Sequence, residues 1–546
     1  MRHLIIVGAL ALLTTPLLTY AADVDYARVT ERNDTEVLVK RNTLTSEGWY
    51  RCTVSTLECA ALSAGATLGN PPAPEFMAAY RSLMPAGASS LTRSPDGRYI
   101  AFYIPATQSR GQRTWGVMDT TDLSIRTKVE SVSYWDLLTE GIRYYSFSPD
   151  SQTLVYINDI KNHPTLYKVD LSALPTTNNT LPTTKMFSKE YTVADVIFTD
   201  NDTILFTANR GGPYSWSMYQ YTLSTGALKT LAGNVSFDAS LRLYQNKVLF
   251  GEADANGVRP AVYNLATNSV EHFALPAVAT LASPAVPVKS LKHGLGGVFM
   301  IEPSRASDTL LVWLHGGPYR QTSAGYHPYF SYGAYDWVLE VARRSDVGVL
   351  KIDYPGSAGF GRSYAESITR KVGVKDATET AAAVADFAKR NGYKNVYLMG
   401  NSYGGYLAMK MLVDKPTAYK GAASIGGVAD WTTMLTALDN SIFNVQFGGT
   451  VGDTNANYDL YNAASIYNRV ANLSGQKIVL VHGSKDMTIP YRQAEGLATF
   501  LATQSIPHSL VTMSGEDHVF KKPESFELLC TSVLQMVGRA STGCDL

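Results

Sequence analysis

One serine in this chain lies between glycines, in the run Gly400-Asn401-Ser402-Tyr403-Gly404-Gly405. The apolar run Val396–Met399 before it predicts a strand, and the apolar stripe in Tyr406–Val413 predicts a helix after it. A serine on a sharp strand-to-helix turn is typical of an enzyme nucleophile. The glycines allow a strained turn, and the helix N-terminus favours developing negative charge. The pattern therefore predicts Ser402 as a nucleophile.

A serine hydroxyl needs a base to remove its proton, and the base needs an acceptor that fixes its tautomer. Asp486 and His518 each lie in a loop directly after a predicted strand, and they follow Ser402 in the order Ser, Asp, His. That order and placement predict a catalytic triad at one edge of a parallel sheet. The alternatives for the acid and the base are Asp517 and His482, each of which lies close to a better placed candidate.

Acyl transfer also needs N–H donors for the oxyanion that forms on the substrate. One predicted donor is the backbone N–H of Tyr403, the residue after the nucleophile. The other is predicted in the loop His315-Gly316-Gly317-Pro318, which follows the predicted strand Leu310–Leu314. Glycines there allow the backbone to approach a substrate closely, although a plain tight turn would have the same composition.

Composition limits the classes of partner. The 546 residues exceed one ordinary core, so we expect two domains. Lysine plus arginine and aspartate plus glutamate each number 47, so no excess of positive charge favours a nucleic-acid or acidic-membrane partner. No sequence motif suggests a metal site or a cofactor.

The first 21 residues predict a secretory signal peptide. Arg2 and His3 precede the apolar run Leu4–Leu18, and Thr19-Tyr20-Ala21 offers a small-x-small cleavage site. A membrane anchor is the alternative, but the run is short for spanning and contains Pro16. We therefore expect a soluble mature protein in the periplasm or outside the cell, with no membrane attachment after signal removal.

Export makes disulfide bonds an expectation for the four cysteines. Four cysteines allow three pairings, and the sequence alone does not choose between them. Proximity along the chain favours Cys52–Cys59 and Cys530–Cys544, the second of which would tie the C-terminal tail to the last helix.

The two halves of the chain have different textures. Residues 22–286 contain short β-prone runs, and a turn-plus-strand pattern recurs from Ser94, from Ser148, more loosely from Thr199 and faintly from Gln245. Repeats of about 40–50 residues with several strands each are typical of propeller blades, and a β-sandwich is the alternative. The number of blades stays open. Residues 287–546 alternate strands with helices and predict a doubly wound, mostly parallel sheet.

Five motifs in the second half occur in an order that resembles the prolyl oligopeptidase family of serine peptidases. They are Gly400–Gly405, His315–Pro318, Tyr354–Gly361 and the loops of Asp486 and His518. The acylaminoacyl-peptidase and dipeptidyl-peptidase branches are the most similar, and they carry a β-propeller before an α/β-hydrolase domain. The resemblance implies Ser402, Asp486 and His518 as triad, the Gly317 and Tyr403 amides as oxyanion hole, and peptide hydrolysis through an acyl-enzyme.

Two features of that family are absent from this sequence. Pro355 stands where many members have arginine, and no paired-glutamate string for holding a free N-terminus is present, so removal of N-terminal dipeptides is unsupported. We expect His315, Tyr354 and Trp431 to contact substrate, although a core position suits Trp431 equally well.

The sequence thus predicts an exported serine peptidase that acts on short oligopeptides. The alternatives are an esterase or lipase that uses the same triad, since fold does not fix the acyl substrate, and a non-catalytic binding protein. Oligomeric state and residue preference at the cleavage site are not predicted.

Overall fold

The structure is a computed structural model of the 546-residue chain. It describes residues 25–68, 80–104, 112–131, 145–159, 164–175, 179–187, 191–211, 215–236, 241–254, 257–277, 286–287, 295–323, 330–437, 447 and 455–546. The predicted signal peptide, residues 1–21, lies outside these ranges. No helix in the described ranges is long and apolar enough to cross a membrane.

The N-terminal region consists of consecutive groups of four antiparallel strands. The bounds are, group by group, β1 Asp25–Arg32, β2 Glu36–Asn42, β3 Glu47–Thr53 and β4 Cys59–Leu62; β5 Ser89–Arg93, β6 Tyr99–Ile104, β7 Gln112–Asp119 and β8 Ile125–Ser131; β9 Tyr145–Phe147, β10 Thr153–Asp159, β11 Pro164–Asp170 and β12 Thr184–Lys185; β13 Val193–Phe198, β14 Thr203–Ala208, β15 Ser217–Thr222 and β16 Leu228–Ala232; β17 Arg242–Tyr244, β18 Lys247–Asp254, β19 Gly257–Asn264 and β20 Ser269–His272. The three middle groups are separate sheets, and the first and last groups join into one eight-stranded sheet.

The repeated turns contact one another in series. The backbone N–H of Asp96 donates a 3.0 Å hydrogen bond to the Ser151 hydroxyl, and that of Asp150 donates a 2.9 Å bond to the Asn201 side chain. Equivalent turns of neighbouring groups therefore meet in the same way, as expected when copies of one unit are arranged about a common axis.

Parallel pairing of β1 with β19 joins the first group to the last, with Asp25 opposite Gly257 and Tyr26 opposite Val258. A Cβ at Gly257 would lie 2.2 Å from the Asp25 carbonyl oxygen, so only glycine allows this approach. The Arg41 guanidinium holds Asp25 with two hydrogen bonds of 2.7 and 2.6 Å and also donates to the Pro276 carbonyl. These contacts hold the two ends of the N-terminal region together.

The C-terminal region contains one eight-stranded sheet in the order β21-β22-β24-β23-β25-β26-β27-β28. Neighbouring strands from β24 to β28 in this order are parallel. At the other end of the sheet, β21 pairs with β22 and β22 pairs with β24 in antiparallel orientation. Their bounds are β21 Val286–Pro287, β22 Gly297–Ile301, β23 Thr309–Leu314, β24 Gly348–Asp353, β25 Asn395–Asn401, β26 Gly421–Ile425, β27 Lys477–Gly483 and β28 Ser509–Met513.

Helices follow most of these strands. The α-helices span Phe330–Arg344, Arg362–Ala365, Lys375–Arg390, Tyr403–Asp414, Trp431–Ala437, Asn455–Ala464, Arg492–Thr503 and Pro523–Met536, and the short 3₁₀ helices span Glu366–Ile368, Pro416–Ala418 and Tyr467–Asn472. Two buried apolar clusters lie on the two faces of the sheet, as a doubly wound sheet requires. The fold class predicted from the sequence is therefore confirmed: an all-β, propeller-like region precedes an α/β-hydrolase-like sheet.

The two regions pack against each other through apolar side chains. Tyr26 and Leu44 from the first group of strands belong to the same buried cluster as Trp313 and Phe526 of the C-terminal region. The exact domain boundary at residues 286 and 287 stays a prediction, because residues 278–285 and 288–294 lie outside the described ranges.

Two disulfide bonds are present, Cys52–Cys59 between β3 and β4 and Cys530–Cys544 between the last helix and the C-terminal tail.

Candidate active site

Ser402 occupies the turn between β25 and the helix Tyr403–Asp414. Its backbone has φ 57° and ψ −121°, a conformation that side-chain-bearing residues rarely adopt. The Ser402 N–H donates a 2.7 Å hydrogen bond to the Ile425 carbonyl, which fixes the turn against the end of β26. This is the geometry of a nucleophile elbow.

Glycines let three elements approach within backbone contact at this turn. A Cβ at Gly404 would lie 2.0 Å from the Leu314 carbonyl oxygen, and a Cβ at Gly400 would lie 2.2 Å from the Gly404 carbonyl oxygen. Because those partners are backbone atoms, no side-chain movement could relieve the clash. The glycines around Ser402 therefore allow the elbow to pack beside β23 and its following loop.

Asp486 and His518 meet in the loops after β27 and β28. The His518 Nδ1 lies 2.7 Å from the Asp486 Oδ2, and the other carboxylate oxygen, Oδ1, accepts hydrogen bonds from the backbone N–H groups of Thr488 and Ile489 at 2.8 and 2.7 Å. The Asp486 side chain is 1% exposed and that of His518 is 16% exposed. With Nδ1–H donated to the carboxylate, the imidazole Nε2 is left as the acceptor, which is the tautomer a general base needs.

Hydrogen bonds join the Asp486 loop to the His518 loop at several points. The Asp517 carboxylate accepts from the backbone N–H groups of Met487 at 3.0 Å and His518 at 2.7 Å. The Lys485 N–H donates a 2.8 Å hydrogen bond to the Glu516 carbonyl, and the Gly515 N–H donates a 2.8 Å hydrogen bond to the Ser484 hydroxyl. The two loops are therefore held as one unit, and Asp517, an alternative for the acid, has a structural role in this unit.

The Ser402 turn and the His518 ring meet at Gly426. This residue follows Ile425, whose carbonyl accepts the Ser402 N–H. A Cβ at Gly426 would lie 3.3 Å from both Cε1 and Nδ1 of His518 and 3.5 Å from the Asp486 Oδ2. The structure thus brings Ser402, Asp486 and His518 to one edge of the sheet, where the adjacent parallel strands β25, β26, β27 and β28 end.

The Asp486 carboxylate contacts two histidines. His482 Nε2 lies 3.2 Å from the Asp486 Oδ2 and 2.8 Å from the Ile489 carbonyl oxygen. Burial acts to raise the pKa of Asp486, but hydrogen bonds from His482, His518 and the Ile489 N–H outweigh it and hold the pKa well below its usual range. Asp486 therefore stays ionised, as is needed to stabilise a positively charged His518.

The predicted oxyanion loop lies directly against the elbow. A Cβ at Gly404 would also lie 2.5 Å from the His315 carbonyl oxygen, and a Cβ at Gly316 would lie 3.1 Å from the Asn401 carbonyl oxygen. The residues on either side of Ser402 thus contact the loop that contains Gly317. Gly317 and Tyr403 therefore belong to two elements that contact each other next to Ser402, and their joint role as oxyanion donors stays a prediction.

The predicted substrate contacts His315, Tyr354 and Trp431 need correction, because all three side chains are fully buried. The His315 Nδ1 lies 2.7 Å from the Gly316 carbonyl oxygen and Nε2 lies 2.8 Å from the Ser357 hydroxyl. The Tyr354 hydroxyl donates a 2.7 Å bond to the His315 carbonyl, and the two rings stack with centroids 4.5 Å apart. Burial lowers the pKa of His315 to about 4, so this imidazole is neutral.

The buried contacts of His315 with Ser357 and Tyr354 fix the shape of the loop that contains Gly317. Trp431 packs instead among Tyr406 and Phe447, in the buried cluster on one face of the sheet. Both placements favour core roles over substrate contact for the three residues.

Three buried polar residues make contacts near the site that the sequence did not predict. The Asp376 carboxylate accepts a 2.6 Å hydrogen bond from the Tyr403 hydroxyl, and His482 contacts Asp486 as described above. The Gln493 Oε1 accepts hydrogen bonds from the backbone N–H groups of Ala429 and Asp430, and these bonds fix the position of the segment after β26. A strand-end position identified His482 only as an alternative base, and no local pattern distinguishes Asp376 or Gln493 from surface residues.

Within the ranges that the structure describes, no group of three or more histidine, cysteine, aspartate or glutamate side chains is arranged to hold a metal ion.

Residues 333–535 match the sequence profile of the prolyl oligopeptidase family. The mouse prolyl endopeptidase FAP is 23% identical over 244 residues, which cover 43% of this chain and 30% of that protein. The dipeptidyl aminopeptidase BIII of Pseudoxanthomonas mexicana is 26% identical over 223 residues, which cover 40% of this chain and 31% of that protein. The matched segments thus span about a third of the length of these curated relatives.

The fold as a whole has solved counterparts. The structure of a puromycin-hydrolyzing peptidase from Mycobacterium tuberculosis matches with a TM-score of 0.66 and 18% identity, over 94% of this chain and 78% of that one. At this identity the likeness shows the shared fold alone, including its N-terminal all-β region. The matched profile covers the segment that carries Ser402, Asp486 and His518, and it confirms for residues 333–535 the resemblance stated above.

Proposed function

We propose that the protein is an exported serine peptidase that hydrolyses short peptides through an acyl-enzyme on Ser402. The observation that supports this most strongly is the 2.7 Å contact between His518 Nδ1 and Asp486 Oδ2, beside a serine held in the elbow conformation. The relatives named above are peptidases by name, which favours amide over ester substrates.

In the proposed first step, Ser402 Oγ attacks the peptide carbonyl carbon while His518 Nε2 takes the hydroxyl proton. The imidazolium that forms keeps its Nδ1–H on Asp486, whose low pKa leaves a full negative charge to stabilise it. The protonated Nε2 then gives its proton to the leaving amine, and the acyl group stays on Ser402. In the second step, water attacks the acyl-enzyme while His518 Nε2 takes its proton. The proton then passes to Ser402 Oγ, and the carboxylic acid product is released.

The negative charge that develops on the carbonyl oxygen needs fixed donors. We assign them to the backbone N–H groups of Gly317 and Tyr403. The loop of Gly317 is buttressed by the buried His315, Ser357 and Tyr354, so these donors would not need to rearrange during the reaction.

Restriction to short peptides is proposed from the architecture. The Asn209 side chain at the end of β14 lies 3.5 Å from the Gly359 carbonyl oxygen, in the segment that follows β24 at the carboxyl edge of the catalytic sheet. The N-terminal region therefore contacts the edge where Ser402 lies, and we propose that it hinders the approach of a folded protein to the serine. Export is proposed from the N-terminal apolar run and the two disulfides.

The direct test uses the purified mature protein with a fluorogenic peptide library and a set of short aryl esters. We expect cleavage of peptides and covalent labelling by a serine-reactive phosphonate. Ser402→Ala should abolish both, whereas Ser532→Ala, on the last helix, should leave both unchanged. Ester turnover without any peptide cleavage would overturn the peptidase assignment in favour of an esterase. Persistent labelling of Ser402→Ala would mean that the nucleophile is another residue.

A further inference from the structure

Arg210 is a half-buried cation that lies on two tyrosine rings. Its guanidinium carbon is 4.8 Å from the ring centre of Tyr191 and 5.5 Å from that of Tyr219. One of its terminal nitrogens, Nη1, is buried and makes no hydrogen bond. Among the residues that the structure describes, no carboxylate forms an ion pair with this guanidinium.

An uncompensated cation in such a position is costly, because burial removes its hydration and tyrosine faces replace only part of it. Two other arginines in this region lie over a tyrosine, and both have a carboxylate partner. Arg98 lies 4.9 Å from the ring centre of Tyr99 and forms a 2.9 Å ion pair with Asp119. Arg242 lies 5.5 Å from the ring centre of Tyr244 and forms a 3.3 Å ion pair with Asp34. Within the described ranges, Arg210 therefore has no carboxylate to supply the counter-charge that Arg98 and Arg242 have. An anionic group from outside the chain would supply it.

The position of Arg210 brings it to the edge of the catalytic sheet. Arg210 directly follows Asn209, whose side chain contacts the Gly359 carbonyl. The neighbouring Ala358 N–H donates a 2.8 Å hydrogen bond to the Arg320 carbonyl, and a Cβ at Gly317 would lie 3.1 Å from the Arg320 backbone nitrogen. A series of contacts through Gly359, Ala358 and Arg320 thus connects the end of β14 to the loop that contains Gly317.

We propose that Arg210 binds a carboxylate of the peptide substrate, either its free C-terminus or an acidic side chain. This inference rests on the proposed peptidase function. A planar guanidinium can hold a carboxylate with two parallel hydrogen bonds, and the tyrosine rings beneath it restrict its orientation, so an ammonium at this position would not substitute fully. The protein would then favour anionic peptides despite a formal net charge of zero.

The test compares matched peptides that differ only in the anionic group. One pair has a free or an amidated C-terminus, and a second pair has glutamate or glutamine at the same internal position. We expect the wild-type protein to have a KM about 10- to 100-fold lower for one acid than for its amide. Arg210→Gln should remove that preference by raising KM for the acid alone, and Arg210→Lys should retain part of it. Arg242→Gln is the matched control and should leave the preference intact.

The outcomes separate this inference from the function on which it rests. Equal KM values for acid and amide in the wild-type protein, or equal losses for both in Arg210→Gln, would overturn the carboxylate site while peptide cleavage stands. No cleavage of any library peptide would overturn the peptidase function itself. If Arg210→Gln does not fold, the salt dependence of KM of the wild-type protein tests the carboxylate site instead. Added salt should raise KM for the acid and not for the amide, and an equal change for both would contradict the site.

Discussion

The Tyr403 hydroxyl donates a 2.6 Å hydrogen bond to the Oδ2 of Asp376, and both side chains are fully buried directly behind the elbow. Tyr403 is the residue whose backbone N–H we assign to the oxyanion. Asp376 lies in the first turn of a separate helix, Lys375–Arg390. The hydrogen bond therefore ties the first turn of the helix after Ser402 to a neighbouring element, and we propose that Asp376 positions the assigned oxyanion donor through it.

We expect Asp376→Leu and Tyr403→Phe each to lower kcat by about 10-fold with little change in KM, a fraction of the loss when an oxyanion donor is removed. The reason is that a displaced amide weakens binding of the transition state more than binding of the substrate. Asp376→Asn keeps an acceptor for the hydroxyl and should stay within about 3-fold of wild type. Steady-state kinetics on the best library peptide measures all three.

Two further measurements separate positioning from general destabilisation. The double variant Asp376→Leu, Tyr403→Phe should be no slower than either single variant, because both remove the same bond. Affinity for a peptide aldehyde, which mimics the tetrahedral intermediate, should fall in parallel with kcat. Multiplying losses in the double variant, or unchanged aldehyde affinity, would contradict the proposed link.

The same carboxyl gives a pH dependence of stability. Burial raises the pKa of Asp376 to about 6, against about 3.9 in an unfolded chain. Between these values the folded state binds more protons than the unfolded state, so the contribution of Asp376 is fully present below about pH 4 and is lost as pH rises through about 6. The free energy of unfolding of the wild-type protein, minus that of Asp376→Asn, should therefore fall by at most about 3 kcal/mol from pH 4 to pH 7.

Urea unfolding of both proteins at four pH values across this window measures the difference. The comparison with Asp376→Asn cancels the titration of every other group that the two proteins share. A difference that stays flat or rises with pH would show that the Asp376 carboxyl is not held neutral by burial.

The placement of the proposed triad at one edge of the sheet could be predicted because the chemistry of such a triad is linked to chain order. Ser402, Asp486 and His518 each follow a parallel strand, and the carboxyl ends of parallel strands meet at one edge. The alanines and the apolar stripe of the helix Lys375–Arg390 likewise specify this helix locally. These features depend on short segments or on their order.

Other features depend on the assembled structure. The strand Gly421–Ile425 was not predicted, because Gly-Ala-Ala-Ser-Ile has little of the bulk typical of strands. It forms between β25 and β27, where a Cβ at Gly421 would lie 2.3 Å from the Lys477 carbonyl oxygen. The burial of His315, Tyr354 and Trp431 likewise follows from packing between elements far apart in sequence, which no local pattern encodes.

The contact of Asp486 with His482 as well as His518 predicts unequal effects of substitution. Asp486→Asn should lower kcat by about 1,000- to 10,000-fold, because the amide presents the wrong hydrogen-bonding partner to Nδ1 and favours the wrong tautomer. His482→Phe removes a donor from Asp486 but leaves the His518 contact, so we expect a smaller loss of about 10-fold. Single-turnover kinetics with an activated ester, which reports acylation directly, checks the order of the two effects. Equal losses would contradict an orienting role for His482.

The close approach at Gly257 predicts that the pairing of β1 with β19 can be broken selectively. Gly257→Ala places a Cβ 2.2 Å from the Asp25 carbonyl oxygen, so the N-terminal strand must move away from β19. We expect a loss of about 1–3 kcal/mol in stability, the usual range for overpacking.

The same substitution bears on access to Ser402. Asp25 also holds Arg41, which contacts Pro276, so opening this edge loosens the join between the two ends of the N-terminal region. If that region limits entry, Gly257→Ala should cleave peptides too long for the wild-type protein while kcat on short peptides is unchanged. Gly233→Ala is the matched control, since no atom lies within 4 Å of its added Cβ, and it should alter neither stability nor the length limit. An unchanged length limit in a Gly257→Ala protein with lowered stability would place substrate entry elsewhere than at this edge.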